Sequence, residues 1–185
     1  KMLPGMTVIN PCDYNQTKAA TLAIAAFDGP CYLRFGRPKW PVFTPEDETF
    51  KIGKALMLNE GKDVTIFATG HLVWKAIEAG HILAEKGIDV EIINIHTIKP
   101  LDKEAILNSA RKTRCVVTAE EHQMNGGLGD SVAQVLALNL PTPMEMVAVN
   151  DSFGESGTPA QLMAKYHIDT PDVVAAVERA MARKV

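Results

Sequence analysis

Cysteine is scarce in this chain: Cys12, Cys31 and Cys115 are its only three, and none stands in a CxxC or other metal-ligand spacing. An odd, scattered set excludes a disulfide framework and a structural zinc site, and fits reduced thiols in a cytoplasmic protein. No apolar run approaches the roughly 20 residues that a membrane-spanning helix requires, and no signal-peptide pattern opens the sequence. A soluble protein that does not engage a membrane is expected. A surplus of one charge is also lacking, because 19 Lys and Arg face 22 Asp and Glu for a net charge of -3, with the basic residues dispersed. Nucleic-acid binding needs a concentrated positive footprint, so none is expected. Missing as well are GxGxxG, GK[ST] and GxSxG, which argues against dinucleotide binding, phosphate-loop nucleotide binding and serine hydrolysis.

What is present is the profile of a packed protein: 185 residues, 46% hydrophobic and 22% charged, with 13 Gly and 11 Pro. That length suits one complete domain plus an extra piece. The first residue is Lys1, not Met, and the chain runs at once into strand-like TVIN, so a fragment of a longer protein is expected.

The order of elements is informative. TVIN reads as a strand, Asp13 or Asn15 can cap a helix through TKAATLAIAAF, and CYLRF reads as a strand closed by the turn Gly36-Arg37-Pro38. Residues 1–37 thus form one crossover unit, too small to fold alone. Residues 38–61, with Pro38, Pro41, Pro45 and the acidic PEDE, read as a linker leading to an edge element. From residue 62 to residue 185 strands and helices alternate. VTIFAT, DVEIINI, CVVTAEE and MEMVAV are the strands, and a helix with Leu72, Ala76, Ala79 and Leu83 on one face follows the first of them. Asp102 is placed to cap the helix KEAILNSARK, Leu128, Val132, Val135 and Leu136 stripe the next, and a short helix from Pro159 precedes a last one striped by Val173, Val174, Val177 and Met181. Alternation of this kind predicts an α/β fold with a mostly parallel open sheet and helices on both faces.

Ligands of such sheets gather at the strands' carboxyl ends. The loop NGGLGD (Gly126, Gly127, Gly129) opens a helix there and can either hold an anion on free N–H groups or serve a tight turn and close packing. Glu120, Glu121 and His122 end the third strand of the run. Adjacent strand residues face opposite ways, so Glu121 and His122 are not expected to meet, and a structural or interface role is favoured over catalysis. His71 and His96 are read as loop histidines, since no further ligands converge on them. Arg34 and Arg37 flank the end of a short strand in RFGR. A guanidinium fork fixed there can take a phosphate through two parallel hydrogen bonds, with a surface salt bridge as the plain alternative.

Five segments in order, LPGMTVINPCD, GPCYLRFGRP, ATGHLVWKAIEAGHILAEKGIDVEIINIHTIKPLD, VTAEEHQMNGGLGDSVAQVL and DSFGESGTPAQLMAKYHI, together resemble the carboxy-terminal part of transketolases over practically the whole chain. The likeness is greatest to split transketolases, in which this part is a separate subunit. The EEHxxxGGLG stretch is shared with deoxyxylulose phosphate synthases and with beta subunits of 2-oxo acid dehydrogenases, whereas FGESGTPAQLMAKY favours transketolase. The resemblance implies that residues 1–37 are the end of a pyrimidine-binding domain and residues 62–185 a transketolase carboxy-terminal domain. It implies a glycolaldehyde transferase of the pentose phosphate pathway that moves a two-carbon ketol unit from a ketose phosphate to an aldose phosphate. Thiamine diphosphate and a divalent metal, Mg, would serve the full enzyme, a homodimer completed by an amino-terminal domain or subunit. Arg37 falls where the family keeps an arginine for the sugar phosphate, and Arg34 is a looser match. The family's catalytic, cofactor and metal groups belong to parts upstream of Lys1 or in another domain, so this chain alone is expected to bind no cofactor and to be inactive. The non-transferase alternatives are an assembly domain and a flavodoxin-like binding module.

Overall fold

The computed structural model describes residues 1–184. Two sheets are present. The smaller orders as β2-β1-β6, from β1 (Thr7–Ile9), β2 (Cys31–Leu33) and β6 (Thr97–Lys99), with β1 parallel to β2 and antiparallel to β6. The larger orders as β3-β5-β4-β7-β8, from β3 (Leu56–Asn59), β4 (Val64–Ala68), β5 (Val90–Asn94), β7 (Val116–Gln123) and β8 (Met144–Val149). β4, β5, β7 and β8 pair in parallel and β3 runs antiparallel at the edge, which matches the expected α/β architecture and the edge element.

Every residue of β4 and β5 is buried, the condition under which a strand reads as an unbroken β-branched run. One face, with Val64, Ile66 and Ala68, packs on α2 (Leu72–Glu85) and α6 (Thr170–Ala182) through Leu72, Ala76, Leu83, Val173 and Val177. The other, with Phe67 and Ile93, packs on α3 (Lys103–Thr113) and α4 (Leu128–Asn139) through Ile106, Ala110, Leu128 and Val132. The short α5 (Pro159–Lys165) opens with a capping box formed by Thr158 and Gln161.

Asp13, not Asn15, caps α1 (Tyr14–Ala25), accepting from Gln16 N at 2.9 Å, while Asn15 reaches the carbonyl of Thr44. The buried Asp13 also takes the amides of Phe43 and Thr44 and the Thr44 hydroxyl, at 2.8, 2.7 and 2.6 Å, which fastens the linker to the helix. Gln16, fully buried, accepts from Asn94 of β5 and from Cys12 N and donates to Glu48, so a polar network joins the small sheet to the large one. Burial holds the Cys12 thiol far above its ordinary range and raises the Glu48 carboxyl.

β6 has no counterpart among the expected strands. Pro100 marks the end of that path correctly, but the three residues before it pair with β1, a long-range choice that local pattern does not encode. His96 lies in the loop just ahead of β6, as expected, and is buried there: its ring packs at 4.1 Å on Phe50, its Nδ1 lies 3.0 Å from the Thr97 hydroxyl, and its carbonyl accepts from Asn10 N. Burial depresses its pKa to about 4, against a smaller opposing pull from Asp102. Because the unfolded ring takes a proton near pH 6.5, stability from this site is present above that value and is lost as pH falls toward the folded pKa. Wild type is expected to lose about 2 kcal/mol more than His96→Asn between pH 7 and pH 5, read from urea unfolding at both pH values.

Candidate functional site

The carboxyl ends of β1, β2, β4 and β7 meet where the two sheets adjoin. β2 stops at Leu33, two residues short of the expected CYLRF strand, and residues 34–38 form an exposed turn. Residues of this turn line two clefts. One, of about 330 Å³, includes Asp13, Phe35, Gly36, Trp40 and His71. The other, of about 420 Å³, includes Asn10, Tyr32, Arg34, Glu120, His122 and Gly127.

Arg34 and Arg37 lie in the same turn but in different circumstances. The Arg34 guanidinium donates from Nη2 to the backbone carbonyl of Glu121 at the end of β7. Arg37 is exposed, and among the described residues its guanidinium has no hydrogen-bond or ion-pair partner. The surface salt bridge considered for these arginines is therefore formed by neither among the described residues, and Arg37 is a cation presented to solvent between Gly36 and Pro38, which line the first cleft.

His71 lies in the loop between β4 and α2, as expected, but its burial and its partners are not legible in the sequence. It is buried at 8% exposure at the start of α2, with Nδ1 2.9 Å from Glu121 Oε2 and its ring 4.6 Å from that of Trp40. Gly36 lies so close that a Cβ there would stand 1.7 Å from His71 Cε1, so only glycine lets the turn rest on the imidazole. The hydrogen bond from His71 holds the Glu121 carboxyl below its usual range, assisted by the charge of Arg34. Glu121 and His122 do not meet, as the strand geometry predicts; His122 Nδ1 instead lies 3.0 Å from the Gln123 carbonyl.

Glu120 resolves the choice left open for the glycine loop. Its buried carboxylate accepts from Leu128 N at 2.7 Å and Gly129 N at 2.8 Å, so the anion at the amino end of α4 is the protein's own. Burial raises this carboxyl, while the two N–H groups pull it back. A Cβ on Gly127 would stand 2.2 Å from Glu120 Oε2, which explains the glycine by close approach. An anion upstream of a glycine-led helix was the available signal.

A family model described as "Transketolase, C-terminal domain" matches residues 53–173. The chain belongs to the transketolase family. A 6-deoxy-6-sulfo-D-fructose transketolase subunit from Clostridium sp. (strain MSTE9) is 44% identical over 182 residues, covering 98% of this chain and 56% of the relative. A 1-deoxy-D-xylulose-5-phosphate synthase 1 from Geobacter sulfurreducens is 40% identical over 187 residues, covering 98% of this chain and 29% of the relative. A solved structure described as a split gene transketolase, an inactive beta4 tetramer, superposes with a TM-score of 0.97 at 45% identity, covering 100% of this chain and 60% of its own. The chain thus spans less than two thirds of the length of each of these relatives.

Enzymes of this family imply a diphosphate-bearing cofactor and a divalent metal, and the residues here do not fit that group. Among the described residues no three His, Cys, Asp or Glu side chains converge to hold a metal ion. The start of α4, behind Gly126 and Gly127, is filled by Glu120. No described helix is long and apolar enough to cross a membrane.

Proposed function

We propose that this chain is the carboxy-terminal part of a transketolase and supplies the grip on the substrate's anionic end, while the remainder of the enzyme holds thiamine diphosphate and its metal. The complete enzyme moves a two-carbon ketol unit between sugar phosphates and pairs as a dimer. Residues 1–37 are the end of the pyrimidine-binding domain, residues 38–61 the linker and residues 62–185 the carboxy-terminal domain. The chain alone is inactive in this reading, which the solved relative described as an inactive beta4 tetramer supports.

The observation that carries the proposal is Arg37, an exposed guanidinium without a partner among the described residues, on a turn that is seated on a buried imidazole. Its neighbour Arg34 spends one of its five N–H donors on the Glu121 carbonyl, which holds the turn, and its remaining donors add positive charge as the looser candidate for the same anion. A hydrogen bond to a charged group contributes about 1.5–3 kcal/mol, so Arg37→Ala in the complete enzyme is expected to raise KM for a sugar phosphate by roughly 10- to 100-fold. Steady-state kinetics with phosphorylated acceptors checks this, and an unchanged KM would remove the phosphate role. The second reading, the same region of a deoxyxylulose phosphate synthase, draws support from the 40% identity over 98% of this chain. Trial of pyruvate against a ketose phosphate as donor separates the two.

A further inference from the structure

We infer that Glu121 is the positioning residue of the anion-gripping turn, setting the place of Arg37 through His71 without touching substrate. The inference rests on the reading of Arg37 given above and extends it to the machinery beneath.

The turn has little to fix it from its own strand. β2 has three residues, of which Cys31 and Leu33 are half-buried and Tyr32 is exposed, and Phe35 in the turn is 59% exposed. Its supports come from β7, a strand hydrogen-bonded on both sides within the larger sheet. The backbone carbonyl of Glu121 accepts the Arg34 guanidinium at the start of the turn. The side chain of the same residue orients His71, with 2.9 Å between Oε2 and Nδ1, and the Cε1 edge of that imidazole is the seat of Gly36. Trp40, just beyond the turn, packs on the ring at 4.6 Å. Two successive supports of the segment 34–38 therefore depend on one residue, and Arg37 follows Gly36 directly.

An arginine fork rewards position steeply, because both of its hydrogen bonds must reach one anion together. Without the Glu121 carboxylate the imidazole loses the bond that fixes its rotation, and the backbone at Gly36 loses a defined floor. Arg37 keeps its charge but spreads over more positions, so affinity for the anion falls while long-range attraction persists. The carbonyl contact to Arg34 survives any side-chain change at 121, which isolates the path through His71.

The test uses the complete enzyme and two acceptors of the same carbon skeleton, one phosphorylated and one not. The readout is the ratio of their kcat/KM values. Glu121→Ala and His71→Ala are each expected to lower this ratio about tenfold, mainly through KM for the phosphorylated acceptor. Glu121→Gln, whose amide oxygen still accepts from the ring, is expected to recover most of the loss. In an Arg37→Ala background the same changes are expected to cost nothing further, since the fork they position is gone. Losses at Glu121 that are equal for both acceptors, or that add in full to those of Arg37→Ala, would overturn the inference and mark the residue as merely structural. An unchanged ratio in Glu121→Ala and His71→Ala beside a fallen one in Arg37→Ala overturns the inference but leaves the role of Arg37. An unchanged ratio in Arg37→Ala itself overturns both.

Discussion

Replacing Lys112 with methionine is expected to destabilise the chain by about 2 kcal/mol, because it strands a carboxylate in the sheet, a loss moderated by the solvent that already reaches the exposed Lys112. Glu91 sits within VEIIN of β5 with a fully buried side chain. Its charge is answered by Lys112 of α3, which contacts Oε2, and by the Thr65 hydroxyl at 3.1 Å, which lies 2.7 Å from the Thr113 hydroxyl. Pairing with Glu91 raises the Lys112 pKa, more than burial lowers it. The contribution is therefore complete below the unfolded lysine value near pH 10 and fades only as pH rises past it. Lys112→Met leaves Glu91 with a single neutral donor. A double variant, Lys112→Met with Glu91→Leu, removes both charges and is expected to recover to within about 1 kcal/mol of wild type, since a well-packed apolar group often replaces a buried charge and its partner at little cost. Urea unfolding with an unchanged slope and a shifted midpoint is the check.

Asp13→Ala is expected to cost about 4 kcal/mol and to free the linker. The loss sums an amino-terminal helix cap of about 1 kcal/mol with three donors of residues 43 and 44 left without their buried acceptor. Asp13→Asn keeps an oxygen for the cap but turns an NH2 group toward donors, so about half of the loss is expected. Limited proteolysis should find new cleavage between residues 38 and 50 in Asp13→Ala before the large sheet is attacked. Resistance equal to wild type would show that the linker is held by its other contacts, among them the Trp40 and Phe43 rings against His71 and Trp74.

The parts of the fold legible from sequence are those in which local chemistry and tertiary environment agree. Buried parallel strands demand apolar β-branched runs, and VTIFAT, DVEIINI and CVVTAEE supply them; the stripe Leu72, Ala76, Ala79 and Leu83 matches the face that α2 buries. Asp102 caps α3 as its position suggests, accepting from Ala105 N. What escaped depends on distant partners. β6 exists because β1 offers it an edge, and His71 is buried because Glu121 of β7 and the stretch with Gly36 and Trp40 arrive from two other segments. Glu120 is half legible: the sequence favours a structural role for it over catalysis, but its partners are amides eight and nine residues away in the following helix. The phosphate role proposed for Arg37 comes from the resemblance, and what the structure adds is the turn that carries this residue and the buried support beneath it.

Labour is divided in this account between a chain that holds the substrate's anion and other polypeptide that holds the cofactor. Calorimetric titration of thiamine diphosphate with Mg into the isolated chain, and into the chain joined with the rest of the enzyme, tests that division most directly. Saturable binding is predicted only for the joined enzyme, with no heat beyond dilution for the chain alone. Saturable one-to-one binding by the isolated chain would contradict it.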